Sequence, residues 1–240
     1  HHTNRRVLTI SLGKYRGTGL TEAALRGGDF VDAVGYNARV TYALEALSSR
    51  TPTTVYLYWG EIDAAGHRYG VGSDEWLQQL EELNSALKRL AERAPAWAAL
   101  FVTADHGMVN VPEHQRIDYS GVEELTRNIA MTAGEPRAVH LYLEDTSEAA
   151  RTATAQRWAQ YWGERAWVID SRELMRAGYF GPVITDAARG RIGDLMVCAR
   201  DDWALYDMRH YQERALHMVG QHGSLTDAER LVPLRMLKTF

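Results

Sequence analysis

Three apolar runs alternate with amphipathic stretches in the first 103 residues of the chain. Residues 7–12, 54–59 and 98–102 are rich in β-forming residues and predict buried strands. Residues 36–47 carry apolar side chains at helical spacing. Residues 74–93 do so behind a serine cap, with acids early and bases late, and both stretches predict helices. The alternation of strand and helix predicts an α/β fold, a mostly parallel sheet sandwiched by helices.

The second half of the chain has shorter and less regular elements. Strands are predicted at 138–143, 166–169 and 194–200, and helices at 122–128, 147–163 and 171–177. We interpret residues 131–204 as a small inserted α+β lobe, with 1–130 plus 205–240 as the core. Residues 231–237 predict a closing edge strand, because a proline such as Pro233 suits an edge rather than a sheet centre.

The composition is that of an ordinary globular domain. Hydrophobic residues make up 45% and charged residues 24%, and the net charge is −4, so neither a nucleic-acid polymer nor a membrane is expected as a partner. No apolar stretch approaches the ~20 residues of a membrane helix. The single cysteine, Cys198, lies in an apolar run and predicts a buried structural thiol. With no visible signal segment, a cytoplasmic location is favoured; His1 and His2 are either native or a tag remnant.

Two of the predicted strands are followed directly by residue types that commonly ligate metal ions. Asp105 and His106 follow the strand at 98–102, and Asp63 and His67 follow the strand at 54–59, four residues apart. An Asp-His pair at one strand end could simply cap a helix. Because the carboxyl ends of parallel strands meet at one edge of a sheet, two such ends together favour a site.

A fifth candidate ligand, His222, lies far along the chain in a loop bounded by glycines. Two aspartates and three histidines exceed the needs of one tetrahedral ion and come close to those of two. Ligands of this type suit Zn²⁺, with Mn²⁺ as the alternative. The other histidines have no partner at ligand spacing and are interpreted as structural: His114, His140, His210 and His217.

Three segments resemble motifs of nucleotide pyrophosphatases/phosphodiesterases in the alkaline phosphatase superfamily. Residues 61–70, Glu-Ile-Asp-Ala-Ala-Gly-His-Arg-Tyr-Gly, resemble the family's Glu-x-Asp-x-x-Gly-His-x-x-Gly segment. Residues 103–108, Thr-Ala-Asp-His-Gly-Met, resemble its Ser/Thr-Asp-His-Gly-Met segment. His222-Gly223, followed by Leu225, Glu229 and Val-Pro-Leu at 232–234, resembles its final His-Gly motif and closing strand. The likeness covers roughly residues 5–112 and 218–237.

The resemblance implies a two-metal hydrolase of phosphodiester or pyrophosphate bonds with an alkaline-phosphatase-like core. By analogy, Asp63, His67 and His222 would hold one Zn²⁺, while Asp105 and His106 would help to hold a second. A threonine or serine oxygen would attack phosphorus in line, and the resulting phosphoryl-enzyme would then be hydrolysed. The implied partner is a small-molecule phosphoester or nucleotide.

The chain departs from the family in its first 58 residues. Family members carry a metal-binding aspartate on an early strand and a threonine or serine nucleophile after it. Asp29 and Asp32 follow a glycine-rich loop, and Thr9, Thr18 and Thr21 lack a metal-binding context. We therefore expect an incomplete core, the C-terminal portion of a larger catalytic domain, with the nucleophile outside this chain and a second metal site that is incomplete.

Three functional interpretations follow from this departure. The first is a phosphodiesterase or nucleotide pyrophosphatase whose 240-residue portion is inactive by itself. A phosphomonoesterase or phosphomutase of the same superfamily would use similar ligands, because substrate choice lies in the pocket walls. The third is a metal-binding module without catalysis.

Overall fold

The computed structural model describes residues 5–239, so the origin of His1 and His2 lies outside the described residues. The strands are β1 (Arg6–Ser11), β2 (Asp29–Asp32), β3 (Thr53–Leu57), β4 (Leu100–Thr103), β5 (Val109–Asn110), β6 (Arg116–Asp118), β7 (Ile129–Glu135), β8 (Ala138–Leu143), β9 (Ala166–Asp170), β10 (Leu195–Ala199), β11 (Ala204–Tyr206), β12 (Gly220–Gln221) and β13 (Leu234–Lys238). The helices are α1 (Gly19–Ala24), α2 (Gly35–Ser48), α3 (Glu61–Tyr69), α4 (Asp74–Arg93), α5 (Glu123–Thr126), α6 (Glu148–Trp162), α7 (Ser171–Arg176), α8 (Asp186–Arg189) and α9 (Asp227–Arg230). The predicted α/β class is confirmed. Within residues 5–239, no helix is both long and apolar enough to cross a bilayer.

The described residues form two compact units. Unit 1 contains the chain up to Ala65, Gly72–Ala104, and the residues from Pro233 onward. Unit 2 contains Gly66–Val71 and Asp105–Val232, so the division falls inside the continuous helix α3. The boundary expected from the sequence, an inserted lobe at 131–204, stays a prediction.

Unit 1 is built on a parallel three-stranded sheet in the order β2-β1-β3. The core lies between this sheet and helices α2 and α4, where Ile10, Val40 and Ala43 are almost completely buried. Leu100 of β4 packs against the same core. The closing strand β13 pairs antiparallel with β4, and Met236 lies opposite Phe101. The strands and helices predicted in this region are confirmed.

One element of unit 1 was missed and one expectation is wrong. Asp29 and Asp32 follow the glycine-rich stretch and are the first and last residues of the missed strand β2, which runs parallel to β1 with Leu8 opposite Asp29. Four residues are too few for hydrophobic periodicity to register. The stretch 13–28, expected as a loop, contains helix α1. There Thr18 and Thr21 both donate side-chain hydrogen bonds to the carbonyl of Tyr15, which is a structural role.

Unit 2 contains a four-stranded antiparallel sheet in the order β7-β8-β10-β9. Every residue of β10 is buried, and helix α6 adds Trp158 and Trp162 to the core of this unit. Strands β8, β9 and β10 and helices α6 and α7 match the predicted elements. Strand β7 was missed because its apolar positions are irregular around Gly134. Cys198 is 1% exposed, which confirms the predicted buried thiol.

Two short strand pairs complete unit 2. Strands β6 and β11 are parallel, while β12 pairs antiparallel with β5, so that Gln221 lies opposite Val109. The second pair brings the histidine after β12 close to the residues that follow β4 in the chain. It is therefore the part of the fold that assembles the candidate ligands.

Candidate metal centre

A buried arginine fixes the start of helix α3. The Arg39 guanidinium, on the buried face of α2, donates to both carboxylate oxygens of Glu61 at 2.8 and 2.7 Å. Burial alone would raise the pKa of Glu61, but the hydrogen bonds and charge of Arg39 outweigh it and hold the pKa below its usual value. A bidentate pair of this kind defines orientation as well as position. The first turn of α3 is therefore anchored.

Helix α3 presents Asp63 and His67 one turn apart, as the spacing predicted. The segment that carries both residues is a nine-residue helix. His67 Nδ1–H donates to the carbonyl oxygen of Gly220 at 2.8 Å. Since a carbonyl only accepts, this bond places the ring proton on Nδ1 and the lone pair on Nε2. A second partner that fixes the tautomer in this way is typical of metal-ligating histidines.

Strand β12 carries His222 against helix α3 through glycine contacts. A Cβ atom at Gly220 would lie 2.3 Å from the carbonyl oxygen of Gly66 and 2.5 Å from the sulfur of Met108. These distances leave no room for a side chain. Glycine at position 220 therefore permits the close approach that brings His222 beside His67, with 5.1 Å between the ring centroids.

Asp63, His67 and His222 form a three-residue group of possible ligands. One ligand atom from each lies within 4.8 Å of the others. Asp63 and His67 share one helix, and His67 and His222 both belong to unit 2, so the group follows from local geometry. One carboxylate and two imidazoles match the three-ligand sets of catalytic zinc sites, which leave a position for water or substrate. The donor set therefore fits a divalent cation.

Asp105 and His106 lie beside this group without forming a second group of three within the described residues. The ring of His106 stacks on that of His222, with centroids 3.5 Å apart and planes at 14°. His106 Nδ1–H donates to the carbonyl of Gly107 at 2.9 Å, and its Nε2 lies 3.8 Å from Asp105 Oδ1. The side chain of Asp105 is 63% exposed. These two residues offer ligand atoms next to the group but do not by themselves enclose an ion.

Glu229 connects the two loops that carry the histidines. Its backbone carbonyl accepts a hydrogen bond from Gly107 N at 2.6 Å, and its side chain accepts one from Ser224 N at 2.9 Å. Arg137 donates to both carboxylate oxygens at 2.7 and 2.8 Å, and both side chains are essentially inaccessible to solvent. Burial alone would raise the pKa of Glu229, but Arg137 outweighs it and holds the pKa below its usual value. Glu229 is therefore a positioning residue for both His106 and His222.

The other histidines among residues 5–239 lie outside the group. His114, His210 and His217 are exposed, while His140 is half-buried in β8 and accepts a hydrogen bond from Gly193 N at 3.1 Å. Burial lowers the pKa of His140. All four are placed as structural or surface residues.

Sequence reasoning missed Arg39 and Arg137. The signal for Arg39 was present, since an arginine stands among the apolar positions of the helix at 36–47. Arg137 had no comparable signal, because its partner Glu229 lies 92 residues away in sequence.

Comparison with known proteins identifies the family. The sequence profile of type I phosphodiesterases/nucleotide pyrophosphatases matches residues 10–225, which is most of the chain. The chain belongs to this family. The resemblance inferred from the three motifs is thereby confirmed.

Individual relatives of the family cover the chain to different extents. Bis(5'-adenosyl)-triphosphatase ENPP4 of Bos taurus is 31% identical over 101 residues, which are 39% of this chain and 22% of the relative. Human ectonucleotide pyrophosphatase/phosphodiesterase 5 has a TM-score of 0.68 at 14% identity, over 96% of this chain and 60% of its own. Phosphonoacetate hydrolase from Sinorhizobium meliloti 1021, solved with phosphonoacetate, has a TM-score of 0.61 at 18% identity. The match covers 98% of this chain and 66% of the hydrolase. The last two confirm the alkaline-phosphatase-like fold.

Proposed function

We propose that the protein is a metal-dependent hydrolase of phosphodiester or pyrophosphate bonds that acts on small nucleotide-type substrates. The observation that carries this proposal is the group formed by Asp63, His67 and His222, in a chain that belongs to a phosphodiesterase family. The name of the ENPP4 relative, an adenosyl triphosphatase, favours a nucleotide over other phosphoesters. A phosphomonoesterase or phosphomutase remains the alternative, since similar ligands would serve it.

The residues divide into ligands and positioning groups. Asp63, His67 and His222 would hold one ion, and Asp105 with His106 would contribute to a second. When bound, a pair of divalent cations polarises the phosphoryl oxygens and stabilises the attacking and leaving oxygens together. Because Nδ1 of His67 is hydrogen-bonded to the carbonyl of Gly220, Nε2 is the nitrogen that would ligate. Zn²⁺ is the proposed metal, with Mn²⁺ as the alternative, because the donors are imidazole and carboxylate.

We further propose that unit 1 is completed by a segment outside these 240 residues, and that this segment supplies the nucleophile and the missing ligands. Helices α2 and α4 cover one face of the unit 1 strands. On the opposite face Tyr56, Phe101 and Met236 are 42%, 62% and 59% exposed. Parallel sheets in α/β proteins are covered on both faces, so large apolar side chains left exposed on these strands favour a surface that another segment covers.

The strand edges support the same proposal. Within the described residues, β3 has a hydrogen-bonded neighbour only on its β1 side, and β4 only on its β13 side. Side chains of both strands pack against the same core. An added strand would satisfy the open edge of either one. By themselves, these 240 residues are then expected to bind one ion and to hydrolyse little or no substrate.

The experiment measures metal content and hydrolysis separately. The 240-residue chain is titrated with Zn²⁺ and Mn²⁺, and the complete gene product is assayed with bis-p-nitrophenyl phosphate. Asp63→Asn and His222→Ala should each weaken metal binding and abolish turnover. Asp227→Asn, an exposed aspartate on α9, is the matched control. Unchanged metal affinity in both ligand variants would refute the metal site, and unchanged turnover would refute the function.

The other interpretations have their own tests. Tight metal binding without hydrolysis by the complete gene product would favour the metal-binding module. Faster hydrolysis of p-nitrophenyl phosphate than of the diester would favour the phosphomonoesterase. The cytoplasmic location stays a prediction, which cell fractionation would test.

A further inference from the structure

A cleft lined by three arginines lies between helices α7 and α8 of unit 2. Its volume is about 720 Å³, and its walls include Arg172 and Arg176 of α7 and Arg189 of α8. Pro182 and Ile184, from the segment between the two helices, supply apolar lining. None of the candidate metal ligands lines this cleft. We name it the arginine cleft.

One of the three arginines is already neutralised. Arg172 pairs with Asp170, at 2.5 Å, and with Glu148. Hydrogen bonds to Asp170 and then to Glu148 raise the pKa of Arg172 above its usual value. Arg172 therefore forms a fixed wall and adds little net charge.

The other two arginines keep their charge uncompensated. Arg189 Nη1 contacts the sulfur of Met175 at 3.3 Å, and Arg176 Nε donates to a backbone carbonyl at 3.3 Å. Glu173 and Asp186 lie three positions before Arg176 and Arg189, yet in the part of the chain that the structure describes neither arginine forms an ion pair. Two guanidinium groups without carboxylate partners beside one cleft create a local positive potential.

Backbone hydrogen bonds and core packing fix the conformation of the segment that forms the apolar wall. Gly178 N donates to the carbonyl of Met175 at 3.2 Å, and Gly181 N donates to that of Gly178 at 3.0 Å. Both glycines have positive φ, of 84° and 87°, which shapes the two turns. Phe180 packs into the core cluster that contains Leu174. The cleft is therefore pre-organised, which lowers the entropy cost of binding.

The segment that forms this wall also exposes two further large apolar side chains to solvent. Tyr179 is 62% exposed and Val183 is 81% exposed. Large apolar groups at the surface near guanidinium groups suit a ligand with an anionic end and an aromatic or apolar body.

We propose that the arginine cleft binds a small phosphomonoester through Arg176 and Arg189, with its aromatic or apolar body against Pro182 and Ile184. Guanidinium groups match phosphate oxygens in geometry and form short charge-assisted hydrogen bonds with them. A volume of about 720 Å³ lies within the range of small-molecule sites, which favours a small molecule over a membrane surface. This proposal does not depend on the metal centre or on hydrolysis.

The test measures binding of AMP and of inorganic phosphate to the 240-residue chain in excess EDTA, by calorimetry and by NMR chemical shifts. EDTA removes any contribution of bound metal, and His222→Ala should bind AMP as the unaltered chain does. The double variant R176Q/R189Q should bind AMP about tenfold or more weakly, the effect of losing roughly 1.4 kcal/mol of contact energy. The double variant R26Q/R50Q removes the same charge from two exposed arginines of unit 1 and should bind normally.

The charge-keeping variant R176K/R189K separates charge from geometry. It should bind AMP with intermediate affinity, because lysine keeps the charge but loses the planar fork. AMP should bind more tightly than inorganic phosphate, since only AMP can contact the apolar wall. Equal affinity of the unaltered chain and R176Q/R189Q, no binding of either probe, or binding only to vesicles of anionic phospholipid would overturn the proposal.

Discussion

The substitution Glu229→Gln tests whether the buried ion pair with Arg137 supports the loop that carries His222. The replacement keeps the side-chain size and removes the negative charge. Arg137 then stays buried with hydrogen bonds to backbone carbonyls but without its charge partner. The hydrogen bond from Ser224 N to the Glu229 side chain is also weakened.

The size of the effect follows from burial. The two side chains are 0% and 1% exposed, so solvent cannot screen the orphaned guanidinium. Breaking a buried pair by removing one charge costs about 3–5 kcal/mol of unfolding free energy. The matched control is Asp227→Asn, two residues before Glu229. It breaks an ion pair with Arg230, and the side chains of Arg230 and Asp227 are 59% and 72% exposed. Its cost should stay below about 1 kcal/mol.

The assay is urea unfolding followed by tryptophan fluorescence, together with zinc titration of each variant. Trp158 and Trp162 lie in the core of unit 2, so the fluorescence change includes the unit that contains the pair. A double-mutant cycle with Arg137→Met gives the coupling energy, expected near the top of the range of about 0.5–3 kcal/mol. Glu229→Gln should also weaken zinc binding, because the loop that places His222 loosens, whereas Asp227→Asn should not.

Two results would refute this reasoning. If Glu229→Gln costs no more than Asp227→Asn, the pair does not stabilise the fold. If the stability falls as expected but the zinc affinity is unchanged, Glu229 supports the core of unit 2 without positioning the metal centre.

Two further predictions concern glycine packing and acid stability. Gly220→Ala should destabilise the protein by about 1–3 kcal/mol or displace β12 and weaken zinc binding, because the new methyl group would lie 2.3 Å from the Gly66 carbonyl oxygen. Gly121→Ala, where no atom lies within 4 Å of the added carbon, should be nearly neutral, and thermal unfolding of both variants measures the difference. Burial alone would raise the pKa of Asp207, but the hydrogen bond from Arg209 outweighs burial and holds the pKa below its value in the unfolded chain. Asp207 therefore stabilises the fold fully at pH values above the unfolded pKa. This contribution is lost as the pH falls through the folded pKa. Asp207→Asn should therefore flatten the acid limb of a stability–pH curve, and an unchanged slope would contradict the assignment.

The long periodic elements were predictable because hydrophobic spacing over a dozen residues leaves little ambiguity. Helix α4 lies at the predicted 74–93, with Ser73 accepting the capping hydrogen bond from Trp76 N at 3.2 Å. Strands β5 and β12, with two residues each, have no period to detect. They form only because distant segments of unit 2 pair with each other.

The metal centre was predictable in its residues and not in its support. Spacing placed Asp63 and His67 on one helical face, and the motif order brought in His222. The pairs Arg39–Glu61 and Arg137–Glu229 were not predictable, because each joins residues far apart in sequence. A charged residue in the sequence does not indicate which distant residue it pairs with. The roles of Asp105 and His106 in a second metal site stay predictions.

The pairing of β13 with β4 has a consequence for the order of folding. Met236 must find Phe101 across 135 residues of chain, and nearly all of unit 2 lies between them. During synthesis, unit 2 emerges completely before residues 234–238 leave the ribosome, whereas β4 waits with an exposed edge. Contacts of such long sequence separation form slowly. Unit 2 can therefore become compact first, and one edge of β4 stays open to aggregation and proteolysis until β13 pairs with it.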